Sequence, residues 1–552
     1  MKNIRSNFIH TTGYSALAAL LAITIVLAGC SSTSGGNAQE GNQAAAGEAV
    51  NNSKNASEGA ANEAKPEEPL ELSIMTVTPS TPPAADDNVI KRAIEQATNS
   101  KMTIQWVSNN IYDDKLNITL ASGEIPDLIM INDPFGSTFR TMASQGAFWD
   151  ITDYVKDYPN LTGGIPDKAW ESSKMADGRN YGIPRPRSVK EDSFFIIRKD
   201  WLDKLGLQQP TTTEELYQVM KAFVEQDPDG NGQKDTTALA SYVSPSDASN
   251  SIGGLGPALG AIEASFTGVN GNWKWDEQQQ KLVYTALLPE VRHSLEYLTN
   301  AYKEGLLPED LLSLKLSQAR DLFKGNKAGI IVDKTGTMKL IYASDLKKVV
   351  PTFKFTDFYP LTKINGYSPK GIGFNGLLAI PKSVPEEKLK RILGLVDTWM
   401  NKEVNDLQLY GLEGVHYKVE NGKKVVDSDK LKQDNGSDFN QIVNVLRDDT
   451  LLDKAESQEE IDAILYAKKV EDERDATSIP NISAGLYSPS ADLAGPDLDK
   501  RIQDLKAKII LGREPLSAWD DFVAKLGSDA NLAKISQELT EAYLTREGAA
   551  TQ

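Results

Sequence analysis

The sequence predicts an α/β protein with parallel-rich sheets, preceded by an export leader and a flexible tether. Three observations carry this. From residue 70 onward, apolar strand-like runs alternate with amphipathic helical stretches, beginning with residues 70–77, 89–99 and 102–107. That order is a βαβ opening, because the period switches from strand to helix and back. Residues 1–29 combine Lys2 and Arg5 with the apolar run SALAALLAITIVLAG, the pattern of a signal peptide. Residues 31–65 hold no aromatic residue and one large aliphatic, Val50, too little apolar surface to offset the entropy of ordering.

Composition removes several function classes. The 552 residues are 40% hydrophobic and 25% charged, enough for more than one core. The formal charge of −18 becomes −20 once Lys2 and Arg5 leave with the leader, which argues against a phosphate-backbone grip and so against nucleic acid as partner. Cys30 is the only cysteine, and the histidines are His10, His293 and His416. Intramolecular disulfides and cysteine zinc clusters are excluded, and His-rich metal catalysis is disfavoured.

The leader ends in Leu27-Ala28-Gly29-Cys30, which resembles the lipobox of bacterial lipoproteins. The resemblance implies cleavage before Cys30 and a diacylglycerol on its thiol. An apolar run of about 15 residues is short of the roughly 20 needed to span a bilayer. Residues 1–29 are therefore read as a lipoprotein signal peptide and residues 30–69 as a lipidated cysteine plus disordered linker. A long polar tether suits the outer face of a Gram-positive cell membrane.

The folded body continues in the same rhythm. Residues 112–122 read as a helix, GEIPD as a turn and residues 128–132 as a short buried strand. Ligands gather at the carboxyl ends of strands in such sheets, which makes residues 76–81 and 132–136 candidate ligand loops. Thr212 and Glu215 predict a capping box ahead of the helix LYQVMKAFVEQ. In PEVRHSLEYLTNAYKEGLL, residues Val291, Leu295, Leu298 and Tyr302 share one face and Gly305 suits the C′ position; His293 lies off that stripe. Residues 498–543 carry helical periodicity and are expected to close the fold as packed helices.

After the capped helix comes DPDGNGQKD, residues 227–235. Oxygen donors at alternating positions with glycine at the sixth resemble the calcium loop of an EF-hand. Asp227, Asp229, Asn231 and Asp235 would supply side-chain ligands and Gln233 its carbonyl, with Gly232 at the sharp turn. Three carboxylates in so short a loop repel one another unless a cation screens them. Position 12 is Ala238 rather than the bidentate glutamate, so one structural Ca²⁺ completed by a carbonyl, by Thr236 or by water is expected.

LAGC, LASGEIPDLIMIND, GAFWDITDYVKDYPNL, DGRNYGIPRPR, FFIIRKDWLDKLGLQQPTTTEEL with DPDGNGQKD, LFKGNKAGIIVD and LYGLEGVHY together resemble family 1 extracellular solute-binding proteins. The likeness is to receptors of carbohydrate ABC importers, especially the LipO-type and alginate-oligosaccharide-binding branch. It implies a two-lobed periplasmic-binding-protein-like fold of type II, with ligand in the interlobe cleft and closure by hinge bending. Lobe 1 is expected from residues 70–184 and 322–375, and lobe 2 from residues 185–321 and 376–552. Alginate-binding relatives also carry a calcium loop after a helix of the second lobe, although the acidic residue expected after the last ligand is Thr236 here.

A sugar site needs aromatic faces for pyranose rings and directed polar groups for hydroxyls. Loops at strand ends nominate Asp133, Arg185, Arg187, Asp247, Lys334 and Asn375, with Tyr181 and Trp273 as aromatic walls. Trp106 and Trp201 read as packing. Arg185 and Arg187 beside the expected hinge suit a bidentate carboxylate clamp, hence a uronate-containing oligosaccharide. The reading is a monomeric, non-enzymatic receptor delivering a carbohydrate to an ABC permease. Its competitors are a peptide or other-solute receptor on the same scaffold and a secreted glycoside hydrolase or lyase. The sequence contains no GxSxG elbow, HExxH helix or Walker loop.

Overall fold

The computed structural model describes residues 68–243, 255–447 and 450–550. Cys30, the leader, the tether and Asp247 lie outside the described residues. Among the latter, no helix is long and apolar enough to cross a membrane.

The strands in chain order begin with β1 (Leu70–Thr78), β2 (Ser100–Ser108), β3 (Leu128–Ile131), β4 (Ile183–Pro186), β5 (Phe194–Arg198) and β6 (Thr237–Ala240). They continue with β7 (Trp273–Asp276), β8 (Lys281–Tyr284), β9 (Ala328–Asp333), β10 (Phe358–Pro360), β11 (Pro369–Lys370) and β12 (Phe374–Ala379). The hairpin β13 (Tyr417–Glu420) and β14 (Lys423–Val426) follows, then β15 (Ile479–Pro480).

Two sheets organise two lobes. The first has the order β2-β1-β3-β12-β4, with β1 parallel to β2 and β3, and β12 antiparallel to β3 and β4. The second has the order β10-β5-β9-β6, with β9 antiparallel to β5 and parallel to β6. Every residue of β3 is buried, as its LIMI sequence requires of a central strand covered on both faces. Helix Glu386–Met400 seals the first sheet with Leu389, Ile392, Leu393, Val396 and Trp399. Each such side chain contributes about 1.5–3 kcal/mol of burial.

This topology corrects the expected lobe boundaries. Residues 328–333 lie in the second sheet, because Ile330 and Ile331 pair with both β5 and β6. Residues 374–379 lie in the first, inserted between β3 and β4. LFKGNKAGIIVD is thus a helix and central strand of lobe 2, not a return to lobe 1. The first core also takes Phe439, Ile442 and Val443, so lobe 1 extends well past residue 376. The last helices do return to lobe 2, where Leu498, Ile502, Ile509, Trp519 and Leu539 join its core.

Local readings of the sequence hold at several points. Thr212 and Glu215 form the reciprocal capping box of helix Thr213–Glu225. Helix Pro289–Lys303 buries Val291, Leu295 and Leu298, Gly305 follows at φ +73°, and His293 is exposed. Trp201 is buried edge-on against Phe223.

Candidate functional site

The chain passes from lobe 1 to lobe 2 between the end of β4 and the start of β5. Because β12 is antiparallel to both β3 and β4, the carboxyl ends of β1, β3 and β4 lie on one side of the first sheet. In the second sheet, β5 starts where β9 ends, and β6 runs parallel to β9. The carboxyl ends of the central strands in both lobes therefore face the crossing, the position at which open α/β sheets bind ligands.

On the lobe 1 side, Asp133 and Asn375 are exposed on adjoining strand ends. They are held close by Gly376, at φ +71°, where an added Cβ would stand 2.6 Å from the Ile131 carbonyl oxygen. A side chain there would push β12 off β3 and break the irregular register that presents Asn375. Asp133 Oδ1 accepts from the Phe135 amide at 3.1 Å. Surrounding protein pushes its carboxyl up, opposed by the Phe135 and Gly136 amides and by Arg140.

The loop after β1 is fixed from below by Asp438. Its Oδ2 accepts from Thr78 Oγ1 at 3.0 Å and from the Ala84 amide at 3.3 Å, and its Oδ1 accepts from Ser80 Oγ at 2.5 Å. Thr76 is fully buried and donates to the Gln441 carbonyl, so only the outer part of the residue 76–81 loop is open to a ligand.

The two arginines of β4 and its end have opposite fates. Arg185 is 2% exposed. Its Nη1 donates to the Asn375 carbonyl at 3.1 Å, and its Nη2 to the Asn440 carbonyl at 3.2 Å and Gln441 Oε1 at 2.9 Å. It supports the site's floor and cannot serve in a two-arginine ligand clamp, because both terminal nitrogens are spent inside lobe 1 and its Nε is buried. Arg187 is half-buried at the crossing, donates to the Pro186 carbonyl at 2.8 Å and has Glu191 as its acidic neighbour.

Lobe 2 answers with Glu191, Asp192 and Lys334. Glu191 Oε1 accepts from the Gly336 amide at 2.9 Å, which ties the crossing to the loop after β9. Asp192 is pushed up by burial, opposed by Lys334 and by the Ser193 amide. Lys334, half-buried, follows Asp333, which pairs with Phe194 across the ladder. Arg187 and Lys334 thus flank a pair of carboxyls at the base of the cleft.

Two expected aromatic walls lie elsewhere. Tyr181 sits at the amino end of β4, away from the crossing, and its hydroxyl donates to Asp177 Oδ2 at 2.8 Å. Trp273 is 7% exposed and packs 5.0 Å from the Tyr284 ring in the core of lobe 2. Trp275 lies against Tyr543, so the β7–β8 hairpin is covered by the last helix instead of offering a platform. Beside the strand-end loops of lobe 1 stand the rings of Phe135, 6.2 Å from Phe374, and of Tyr487 from the tail, against Arg140. Phe135 lay inside a nominated loop, whereas nothing local marks Tyr487, whose contact is made over more than three hundred residues. Glu191 and Asp192, immediately before a strand that opens a lobe, were readable as crossing residues and passed unnoticed.

In the loop of residues 227–235, Asp227 Oδ1 accepts from the amides of Gly230 and Asn231, and Oδ2 from that of Gly232 at 3.0 Å. A hydrogen bond with Asp229 holds Asp227 below the usual carboxylate range, while burial and Asp227 push Asp229 up. Asn231 Nδ2 donates to Asp229 Oδ2 at 2.7 Å and Asp235 Oδ1 at 3.0 Å, and Lys327 pairs with Asp235. Positive poles therefore already face the carboxylates of Asp229 and Asp235. No gathering of three or more acidic, histidine or cysteine side chains around one metal position occurs among the described residues. The donor set suits Ca²⁺ once Asn231 presents its oxygen and Lys327 withdraws. Thr236 is not part of it, since its hydroxyl is buried and donates to the Phe223 carbonyl at 3.0 Å.

With this geometry in view, residues 78–398 match the family described as bacterial extracellular solute-binding protein. The chain belongs to that family. This solute-binding protein is 30% identical to the polygalacturonan/rhamnogalacturonan-binding protein YtcQ of Bacillus subtilis (strain 168) over 488 residues, 87% of this chain and 92% of that one. It is 28% identical to lipoprotein LipO of the same organism, across 85% of this chain and 90% of LipO. Among solved structures, alginate-binding protein AlgQ2 without calcium ion superposes with a TM-score of 0.63 at 19% identity, covering 86% of this chain and 98% of that one. The fold of the solute-binding protein is accordingly the two-lobed type II arrangement that the sheet order already describes.

Proposed function

We propose that this solute-binding protein captures a uronate-containing oligosaccharide in the interlobe cleft and delivers it to the transmembrane subunits of an ABC importer, without catalysing a reaction. One observation carries the acidic-sugar reading: Arg187 and Lys334 stand half-buried on either side of the crossing, with Arg187 free of the internal network that consumes Arg185. A guanidinium in that position can take a carboxylate in two parallel hydrogen bonds. Asp133 and Asn375 offer an acceptor and an amide to ring hydroxyls, and Phe135 an apolar face. The name of YtcQ, which cites two uronate-bearing polymers, supports the same class.

We further propose that the receptor is monomeric and tethered by a diacylglycerol on Cys30 to the outer face of a Gram-positive cell membrane, the anchor being its only membrane contact. The naming of LipO as a lipoprotein supports the anchor. One structural Ca²⁺ would be held by Asp227, Asp229, Asn231, Gln233 and Asp235, replacing the Lys327–Asp235 ion pair with one divalent cation. It would brace the exit of helix Thr213–Glu225 at the outer edge of lobe 2.

The test is calorimetric titration with trigalacturonate, a rhamnogalacturonan oligosaccharide and a neutral fructooligosaccharide, with chromatography of the incubated sugar. Saturation with the uronates, weaker uptake of the neutral sugar and intact oligosaccharide are expected. At about 100 times Kd the native state should gain roughly 2.7 kcal/mol. Exclusive binding of the neutral sugar would sink the uronate assignment, and cleavage would sink the non-enzymatic one.

A further inference from the structure

The two lobes touch at a place that the crossing segments do not impose. Helix Ser137–Ser144 of lobe 1 follows the Asp133 loop and carries Arg140, while Phe139 and Ala143 anchor the helix in the first core. Opposite it runs the stretch between β15 and helix Pro489–Ile510. This stretch is fixed to lobe 2: Ile479, Ile482 and Leu486 pack on the second core. Arg546 donates to the carbonyls of Ile482 and Ala484, and Glu538 accepts from Ser488 and Ser490.

From that base Asp492 pairs with Arg140, with side chains 19% and 17% exposed. The Tyr487 ring lies under the guanidinium, 4.7 Å from its central carbon. Gly485 lies against the Phe135 ring, so that an added Cβ would come within 3.4 Å of its Cζ. Arg140 also stands beside Asp133 and holds that carboxyl down against the effect of its surroundings. One side chain thus touches a carboxylate and an aromatic face of lobe 2 while neighbouring a ligand-loop carboxylate of lobe 1.

We propose that Arg140, Tyr487 and Asp492 form a latch that holds the lobes together and sets how long the cleft retains its ligand. Hinge rotation must break this contact, since its partners belong to different lobes and lie outside the connecting segments. A planar guanidinium that pairs and stacks at once is matched poorly by lysine. The latch biases the open–closed equilibrium by its own free energy and by no more. It rests on the receptor reading only in the second of two measurements.

The first measurement needs no ligand. In the chain carrying Cys30→Ser, cysteines are introduced at Ile118 in lobe 1 and Leu312 in lobe 2, which are 63% and 42% exposed, and spin-label distances are recorded. Asp492→Asn and Arg140→Lys are expected to shift the distribution to longer distances, with Tyr487→Phe unchanged because it keeps the ring. An unaltered distribution in both Asp492→Asn and Arg140→Lys, each with a native melting profile, would overturn the latch. Arg140→Lys keeps charge and bulk, so it covers the case in which Asp492→Asn fails to fold. The second measurement is trigalacturonate dissociation, expected about fivefold faster in Asp492→Asn with little change in association. Equal dissociation rates would overturn the affinity role. No trigalacturonate binding by the parent chain would refute the uronate reading, while the distance measurement would still decide the latch.

Discussion

Lobe 1 and lobe 2 are both sheets sealed by helices, but they bury polarity in different places. In lobe 1 the buried polar groups gather under the cleft, where Asp438 holds the β1 loop and Arg185 holds Asn375, Asn440 and Gln441. Lobe 2 keeps Arg474, 1% exposed, beside Asp192 at the crossing, and adds a buried ion pair between its helices. Lys506 and Glu263, 0% and 3% exposed, meet at 2.5 Å between helix Pro489–Ile510 and helix Pro257–Thr267. The Asp438 and Arg185 networks hold the strand-end loops of lobe 1, whereas the Lys506–Glu263 pair fixes a tail helix to the body of lobe 2. The two should fail differently when broken.

The largest expected effect is in lobe 2. Glu263→Gln keeps the shape but removes the carboxylate facing a fully buried ammonium, an arrangement that costs about 3–5 kcal/mol. Chemical denaturation should register that loss, with ligand affinity of the remaining folded protein unchanged. Replacing both partners by leucine and methionine should recover most of it. If Glu263→Gln proves neutral, the tail helices are not held by this pair.

The two arginines sharpen the comparison within lobe 1. Arg185→Met leaves the Asn375 and Asn440 carbonyls and the Gln441 amide without their donor, and each buried group left unmet costs about 1–3 kcal/mol. Arg187→Gln should leave stability within about 0.5 kcal/mol yet weaken trigalacturonate about tenfold by calorimetry. Equal loss of stability in both would mean that Arg187 is also structural and that the uronate contact lies elsewhere.

These outcomes also measure how far the sequence could be read. The βαβ opening, the capping box and the buried LIMI strand were legible because each depends on residues near one another in the chain. The lobe boundaries were not, because the pairings that place β12 between β3 and β4 join residues about 190 to 250 positions apart. Arg185 and Arg187 look equivalent in IPRPRS and would share a face by alternation; they differ because Arg185 lies inside β4 over the first core, whereas Arg187 lies past the strand's end. Trp273 and Trp275 share a face as alternation requires, but the helix that covers that face arrives from the far end of the chain. Tyr487 entered the site by the same long-range route. Of the nominated residues, Asp133, Arg187, Lys334 and Asn375 stand at strand ends beside the crossing, where the rule used is a rule of topology.

A smaller effect is expected at the edge of lobe 2. Sites of this kind hold Ca²⁺ with Kd of about 10⁻⁴ to 10⁻³ M, so about 2 mM Ca²⁺ should add roughly 0.6–1.8 kcal/mol. The melting temperature should rise with Ca²⁺, fall with chelator and become insensitive to both in Asp229→Asn. Insensitivity of the parent chain would show that the Lys327–Asp235 pair and the Asn231 amide already satisfy the loop.

The smallest effect belongs to lobe 1 and appears only in acid. Burial alone would raise the carboxyl of Asp406, but Lys402, Lys424 and Arg447 outweigh it and hold the group at about 2, against 3.8 for the ordinary side chain. A carboxyl depressed in the folded state stabilises the protein above its unfolded pKa, and that contribution disappears as pH falls through the folded value. The Asp406 share is therefore complete above about pH 4 and vanishes toward pH 2. Asp406→Asn should lower stability slightly at neutral pH and flatten the stability profile between those limits. Because Asp406 lies in lobe 1, the flattening should leave the lobe 2 pair of Lys506 and Glu263 untouched. A profile in Asp406→Asn that stays as steep as in the parent chain would assign the acid sensitivity of lobe 1 to other carboxyls, Asp127 with its Lys388 partner being the next in line.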